Sequence, residues 1–389
     1  MMPSILISAG EVSGDLHGAF LVQEMQRHSP NLRFFGIGGN EMKAAGVELR
    51  YHIDRMGILG ITEALRHLGF IRRVLKELRG QMEERPPDLV ILIDYPGFNL
   101  RLAKIASQLS VPVLYYIAPQ VWAWGARRIK TIARYVDTVA VILPFEKELY
   151  TKAGLEAEFV GHPLLERLDP HIEKTAFMDR YGFENSRPIV GLLPGSRSTE
   201  IRRLLPVMLE TAKRMRADLD TLQIALATVP STKMDRMNEI LHRHNMSVPV
   251  IQGATQAVIN ASDLLLIASG TATLEAACYG TPSLILYKVS LITWIIAKLL
   301  VKLPYIGLVN IVAGKEIVPE YIQFKAQPGR VAGHALRLLK DEGRRRKMQA
   351  EMKNVRTKLG QPGASARTAR IALNMLEKSQ RRSRVQRDR

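Results

Sequence analysis

The chain predicts two doubly wound α/β halves, and three observations carry that expectation. Short apolar runs recur along its length, as at Ile5-Leu-Ile-Ser8, Pro87-Asp-Leu-Val-Ile-Leu-Ile-Asp94, Ile189-Val-Gly-Leu-Leu193 and Leu264-Leu-Leu-Ile267. Runs of this length and purity read as buried parallel strands. Each is followed by a small-residue or polar turn and then a helix-length segment, the alternation of βα units. The alternation pauses at His162-Pro163 and a polar stretch to Arg187, then resumes. Two domains, 1–163 and 188–340, are therefore expected on either side of a linker at 164–187. Residues 341–376 are expected to be charged helices, broken near Gly360 to Gly363, that pack back on the body. The basic end, 377–389, is expected to be a disordered, solvated tail.

In order, Ile5–Ser8 leads into Ala9-Gly-Glu-Val-Ser-Gly-Asp-Leu-His-Gly18 and a helix to about His28. This is strand, glycine-rich turn, helix, but the G-x-G-x-x-G dinucleotide spacing fails here and again at Gly36. The glycines allow close approach to the backbone. Glu11, Ser13 and Asp15 place polar groups at the mouth, with helix capping as the competing role for Ser13 and Asp15. Arg33–Gly38 is the next strand. Residues 56–61 are apolar and glycine-rich, and a basic amphipathic helix carrying Arg66, Arg72, Arg73, Lys76 and Arg79 follows. Such a helix suits either an anionic membrane surface or plain solvation.

The run to Asp94 is apolar until its last residue. Ligands in open α/β sheets sit beyond the carboxyl ends of the strands, so Asp94 is a general-base candidate. A helix cap or a bond to Asn99 is the competing role. Strands at Val113, Val136–Leu143 and Glu158–Pro163 complete the first half. In the second, Ile189–Leu193 ends at Pro194-Gly-Ser-Arg197, where Gly195 and Ser196 offer donors and Arg197 a fork of charge suited to a diphosphate. The P-loop spacing is absent. Leu222–Ala227, Val248–Gln252, Leu264–Ile267 and Pro282–Tyr287 are further strands.

After Ile267, Ala-Ser-Gly-Thr271 turns the chain into a helix ending at Gly280. A tight turn into a helix leaves unpaired N–H groups at its positive end, so Gly270 and Thr271 form a candidate phosphate site. Glu275, four residues after Thr271, shares its face and suits a ribose diol, with helix capping in an ordinary α/β turn as the competing role. Residues 289–303 are apolar on two faces, with Ile292, Ile296, Leu299, Leu300 and Leu303 on one and Leu291, Trp294 and Ile295 beside Lys298 and Lys302 on the other. Packing in a homodimer and an interfacial membrane contact with snorkelling lysines both fit.

The totals narrow the classes. At 389 residues and 47% hydrophobic content the chain has ample length for two cores. Its one cysteine, Cys278, cannot form an internal disulfide and fits a reducing compartment. The start has no charged n-region ahead of a long apolar stretch, so no signal peptide is expected. No run of about 18 apolar residues reads as a membrane span. The net charge of +18 leaves nucleic acid, anionic lipid and anionic small substrates open. No nucleic-acid motif accompanies it, so a nucleic-acid partner is not expected.

Seven blocks, in order, narrow the reading further: Ala9-Gly-Glu-Val-Ser-Gly-Asp15, Ile93-Asp-Tyr-Pro-Gly-Phe-Asn99, Pro119-Gln-Val-Trp-Ala-Trp124, Leu143-Pro-Phe-Glu-Lys147, Phe159-Val-Gly-His-Pro163, Leu192-Leu-Pro-Gly-Ser-Arg197 and Ala268-Ser-Gly-Thr-Ala-Thr-Leu-Glu275. They resemble the signature blocks of the lipid-A-disaccharide synthase family, to about residue 376. One departure is Thr273, where the family commonly has a smaller residue. The resemblance implies a GT-B glycosyltransferase fold, two Rossmann-like domains facing a cleft. It implies inverting transfer from UDP-2,3-diacylglucosamine to 2,3-diacylglucosamine 1-phosphate (lipid X), without cofactor or metal. On that basis Asp94 is the base. Gly195, Ser196, Arg197, Gly270 and Thr271 take the diphosphate, Glu275 the ribose, and Asn310 lies near the donor phosphates. Glu11, Ser13 and Asp15 line the acceptor side. The acylated substrates imply work on the cytoplasmic face of the inner membrane. Rival readings are an isomerase like UDP-N-acetylglucosamine 2-epimerase, another lipid-acceptor UDP-sugar transferase, and a non-catalytic nucleotide sensor.

Overall fold

The computed structural model describes residues 2–56, 61–120, 122, 126–230, 232–300 and 303–387, with backbone alone at 61–68, 126–127, 296–297, 299–300 and 382–387. The chain forms two compact units, Met1–Glu166 with Leu359–Arg389, and Arg167–Lys358. The apolar, glycine-rich stretch at 57–60 lies outside the described residues.

The first unit is a seven-stranded sheet of β1 (Ser4–Ala9), β2 (Arg33–Gly38), β3 (Glu48–His52), β4 (Leu89–Ile93), β5 (Val113–Tyr116), β6 (Thr138–Val141) and β7 (Glu156–Phe159), in the order β3-β2-β1-β4-β5-β6-β7. All its pairings are parallel. The sequence Leu-Val-Ile-Leu-Ile of β4 is wholly buried because helices cover both faces of the sheet. One face packs on the helices Ile61–Glu84, Pro96–Gln108 and Ala126–Tyr135, through residues such as Val74, Leu78, Leu102 and Ile132. The other packs on the helix Val12–His28 and the last helix, Ala364–Arg387, through Leu21, Met25, Ala369 and Ala372. Glu166 fixes that last helix, its carboxylate accepting from the backbone N–H and the hydroxyl of Ser365, both at 2.8 Å.

The second unit is a six-stranded parallel sheet of β8 (Ile189–Leu193), β9 (Gln223–Thr228), β10 (Val250–Gln252), β11 (Leu264–Ala268), β12 (Ser283–Tyr287) and β13 (Glu320–Ile322), in the order β10-β9-β8-β11-β12-β13. In each sheet the order reverses between two adjacent strands, β1 and β4 in the first and β8 and β11 in the second. At such a switch point the turns leaving the carboxyl ends diverge and open a crevice for ligand. The four candidate turns predicted from the sequence, after β1, β4, β8 and β11, sit there.

Several expected boundaries differ. Residues 164–187 are folded rather than a free linker: they include the helix Lys174–Tyr181, and most belong to the second unit. Lys174 pairs with Asp263 at 3.2 Å, and Asn260 Nδ2 donates to the Ile172 carbonyl. The helices expected at 341–376 part company, Glu342–Lys358 belonging to the second unit and Ala364–Arg387 to the first. That last helix runs through residues 377–387, where a disordered tail was expected. Strands β3 and β13 are additional, each short and without a clean apolar run.

Candidate active site

Asp94 closes β4 and opens the turn into the helix Pro96–Gln108. Asp94 and Tyr95 both take left-handed backbone, φ +46° and +49°. Two consecutive non-glycine residues there are disfavoured by roughly 1–2 kcal/mol each, so something must hold them. The Asp94 carbonyl accepts from Asn99 Nδ2 at 2.7 Å and from the Tyr115 hydroxyl at 2.8 Å. Ser8 Oγ donates to Asn99 Oδ1 at 2.8 Å and so orients the buried amide. Tyr95 donates its hydroxyl to the Met56 carbonyl, and its ring lies over Gly10. A Cβ on Gly10 would stand 2.2 Å from that ring, so the close approach at this glycine is made by Tyr95.

Of the competing roles for Asp94, the bond to Asn99 is made by its carbonyl, and the N-cap residue of the helix is Tyr95. Burial first, and the charge of Glu11 second, raise the Asp94 carboxyl above its ordinary value; a hydrogen bond from the Tyr95 backbone N–H opposes them. Asp94 lines a pocket of about 470 Å³ with Pro96, Ala118, Pro119, Gln120, Arg128 and Glu146 among its walls. A carboxylate at a crevice with a raised pKa is suited to accept a proton.

Of the three polar residues on the Gly10 turn, Glu11 and Ser13 are exposed and available, while Asp15 is not. Its buried carboxylate accepts from the backbone N–H groups of Gly39 (2.6 Å), Glu41 (3.0 Å) and Met42 (3.0 Å). It neutralises the positive end of the helix Asn40–Ala44. The expectation of a cleft role for Asp15 is thus corrected: it caps a helix, though a different one from its own.

In the second unit, β8 and β11 are adjacent, Leu193 pairing with Ile267, so the turns after them are neighbours. Arg197 and Ser269 accordingly line one pocket of about 210 Å³, with Arg203, Tyr287 and Lys288. Gly195 has φ +101°, and a Cβ there would press on Glu200, whose carboxylate returns to the Arg197 backbone N–H and guanidinium. Ser196 and Arg197 are exposed, and nothing lies within 4 Å of a Cβ placed on Gly270. Gly270 and Thr271 begin the helix Ala272–Tyr279, just beyond the pocket lining. Burial raises the Glu275 carboxyl, and the charge of Arg167 opposes it.

Asn310 is corrected. It is fully buried, donating to the Val318 carbonyl (2.7 Å) and Glu320 Oε1 (2.8 Å) and accepting from the N–H groups of Ile317 and Val318. Both donors and both acceptor positions of the amide are occupied. It staples the helix Leu308–Ala313 to β13 and has nothing left for a phosphate. The residues that sequence reasoning left without a role are Glu146 and Arg128 in the first pocket and Arg203, Tyr287 and Lys288 in the second. Glu146 stands in one of the seven blocks, which was the available signal; the others needed the fold. Among the described residues no group of three or more His, Cys, Asp or Glu is placed to hold a metal ion.

The profile of the family described as lipid-A-disaccharide synthetase matches residues 5–375. The chain is 45% identical over 378 residues to the lipid-A-disaccharide synthase of Syntrophus aciditrophicus, covering 96% of this chain and 98% of that protein. It is 45% identical over 374 residues to the synthase of Geobacter sulfurreducens, covering 96% and 97%. Among solved structures, UDP-N-acetylglucosamine 2-epimerase of Neisseria meningitidis bound to UDP-GlcNAc aligns with TM-score 0.65 and 12% identity, over 95% of this chain and all of that one. A putative 2-epimerase of Listeria monocytogenes aligns with TM-score 0.64 and 13% identity, over 94% of each. At these identities the structural likeness concerns the fold alone.

Proposed function

The chain belongs to the lipid-A-disaccharide synthase family, and from that premise we propose how its two units divide the glycosyl transfer. The acceptor is 2,3-diacylglucosamine 1-phosphate, seated in the first unit beside Asp94. Asp94 takes the proton from its 6-hydroxyl as the oxygen forms a bond to the donor anomeric carbon. The bond from that carbon to the diphosphate breaks with its electron pair, and UDP leaves. One displacement from the opposite face inverts the anomeric centre. The diphosphate of UDP-2,3-diacylglucosamine lies against Arg197 and the donors of Gly195 and Ser196, with Arg203 and Lys288 adding positive charge. Gly270 and Thr271, ahead of the helix Ala272–Tyr279, add donors to the diphosphate, and Glu275 holds the ribose. Charge fixed where the leaving group gains it favours the transition state over the ground state. Glu11 and Ser13 face the acceptor.

The observation that carries this reading is Asp94, held in left-handed backbone by contacts to its carbonyl and lining a pocket. The fold neighbours favour one rival, an epimerase acting on UDP-sugar alone. Incubation with each substrate singly and together separates the two. UDP is expected only with both, together with a β-linked disaccharide. Isomerised UDP-sugar without acceptor would sink the transfer reading.

The helix Leu291–Leu300 supports a membrane-surface role. Ile292 is 73% and Phe324 63% exposed, and Leu291 and Ile295 are open beside them. Trp294 meets the Phe324 ring edge to face, and Lys298 Nζ lies 5.1 Å from the Trp294 ring. The side chains of Ile296, Leu299 and Leu300, expected on one stripe with Ile292, lie outside the described residues. An apolar patch with a snorkelling lysine suits the anionic inner face of the inner membrane. Among the described residues no helix is long and apolar enough to cross a membrane. Changing both Ile292 and Ile295 to Ser is expected to lower binding to anionic vesicles about tenfold or more, each full burial being worth about 1.5–3 kcal/mol. Unchanged vesicle binding with a lost dimer would assign the patch to a homodimer instead.

A further inference from the structure

The first pocket contains a second acid that the transfer reaction does not use. Glu146 is only 1% exposed, near the start of the helix Pro144–Lys152. Its Oε2 accepts from the Leu143 backbone N–H at 3.1 Å, the return half of a capping box. Capping alone does not require burial, since a solvent-facing glutamate makes the same bond, and a buried carboxyl needs further compensation. The other oxygen shows what the burial achieves. Oε1 accepts from Trp122 Nε1 at 3.0 Å, across to the segment that follows β5. The Trp122 ring packs edge to face on Phe145, with centroids 5.3 Å apart. The same helix grips that segment again, where the Tyr150 hydroxyl donates to the Pro119 carbonyl at 3.2 Å. Pro119, which the second bond holds, lines the pocket of Asp94 together with Ala118 and Gln120, and Trp122 follows two residues after Gln120.

We infer that Glu146 is a positioning residue of the transfer: through Trp122 it sets the wall at residues 118–120 against which the acceptor sugar is placed before Asp94, an inference that rests on the acceptor role proposed for this pocket. Burial lifts the Glu146 carboxyl to about 7, against the hydrogen bonds from Trp122 and Leu143. Asp94 and Arg128 line the same pocket, and Tyr150 stands one turn along the Glu146 helix. As the pH falls through about 7 the acid gains its proton, and a neutral carboxyl accepts more weakly than a carboxylate. The grip on Trp122 therefore loosens on the acid side.

Two full-length variants test this. Trp122→Phe removes the Nε1–H and leaves the Leu143 cap intact, while Glu146→Gln removes the charge. Each is expected to raise the acceptor KM about tenfold, the loss of one hydrogen bond to a charged group, with the donor KM little changed. The fluorescence difference between parent and Trp122→Phe should titrate with a midpoint near 7 and flatten in the Glu146→Gln background. A merely structural Glu146 would lower the melting temperature and leave the acceptor and donor KM values in their parental ratio. Folded variants with an unaltered acceptor KM overturn the inference, whether or not the fluorescence titrates. If Trp122→Phe does not fold, Glu146→Gln carries the same test. UDP release that needs no acceptor in the parent protein would remove the acceptor reading of the pocket, a failure distinct from this one.

Discussion

Asp94→Asn is expected to reduce turnover by about 10²- to 10⁴-fold, the range for loss of a general base, while the protein stays folded. The amide keeps the shape and the contacts of the Asp94 carbonyl with Asn99 and Tyr115, which do not involve the carboxyl. Stability should not fall and is expected to rise slightly. The carboxyl is raised in the folded state, so its ionised form is disfavoured there, and the resulting destabilisation is present above the folded pKa and relieved as pH falls through it. Asparagine removes that destabilisation at neutral pH. In the parent enzyme the same shift sets the sign of the pH dependence: activity is lost as pH falls and Asp94 gains a proton. The acid limb should therefore lie above the ordinary carboxylate value of 3.8. Steady-state rates across pH, with thermal melts of parent and variant, check all three outcomes.

Asn310→Ala is expected to act on stability and not on donor affinity. The substitution strands the N–H groups of Ile317 and Val318 and the carbonyl of Val318, and takes a donor from Glu320. Each stranded buried group costs about 1–3 kcal/mol, reduced where water can enter, so a loss of about 2–4 kcal/mol is expected. Denaturant unfolding measures it. The folded fraction should keep its KM for the UDP-sugar. A variant of parental stability with a much raised donor KM would return Asn310 to the ligand set.

The contrast between these two residues marks where sequence reading works. The position of Asp94, though not its role, was legible because an apolar strand that ends in an acid places the acid at the carboxyl end of the sheet. The βα alternation that made both sheets legible is likewise a local pattern. Asp15 and Asn310 were misread because their partners are distant or irregular: Gly39 to Met42 lie beyond an intervening strand, and Val318 sits in a turn with no periodicity. The fate of a polar side chain is decided by which backbone groups need it, and that depends on tertiary position. The pairing of Arg197 with Ser269, Tyr287 and Lys288 needed the β8–β11–β12 adjacency, which the order of residues along the chain does not contain. Strands β3 and β13 escaped for a different reason, being short strands with partly exposed residues and no sustained apolar run. The continuation of the last helix to Arg387 went against a composition that reads as solvated coil.

In the proposed transfer, proton removal belongs to the first unit and recognition of the departing nucleotide to the second. Calorimetric titration of UDP into Asp94→Asn and Arg197→Ala separates the two roles. Asp94→Asn should bind UDP with an affinity close to that of the parent despite its lost turnover. Arg197→Ala should bind about 10-fold or more weakly, as expected for a charge-assisted phosphate contact. The opposite pattern, with UDP affinity lost on changing Asp94 and kept on changing Arg197, would contradict the assignment.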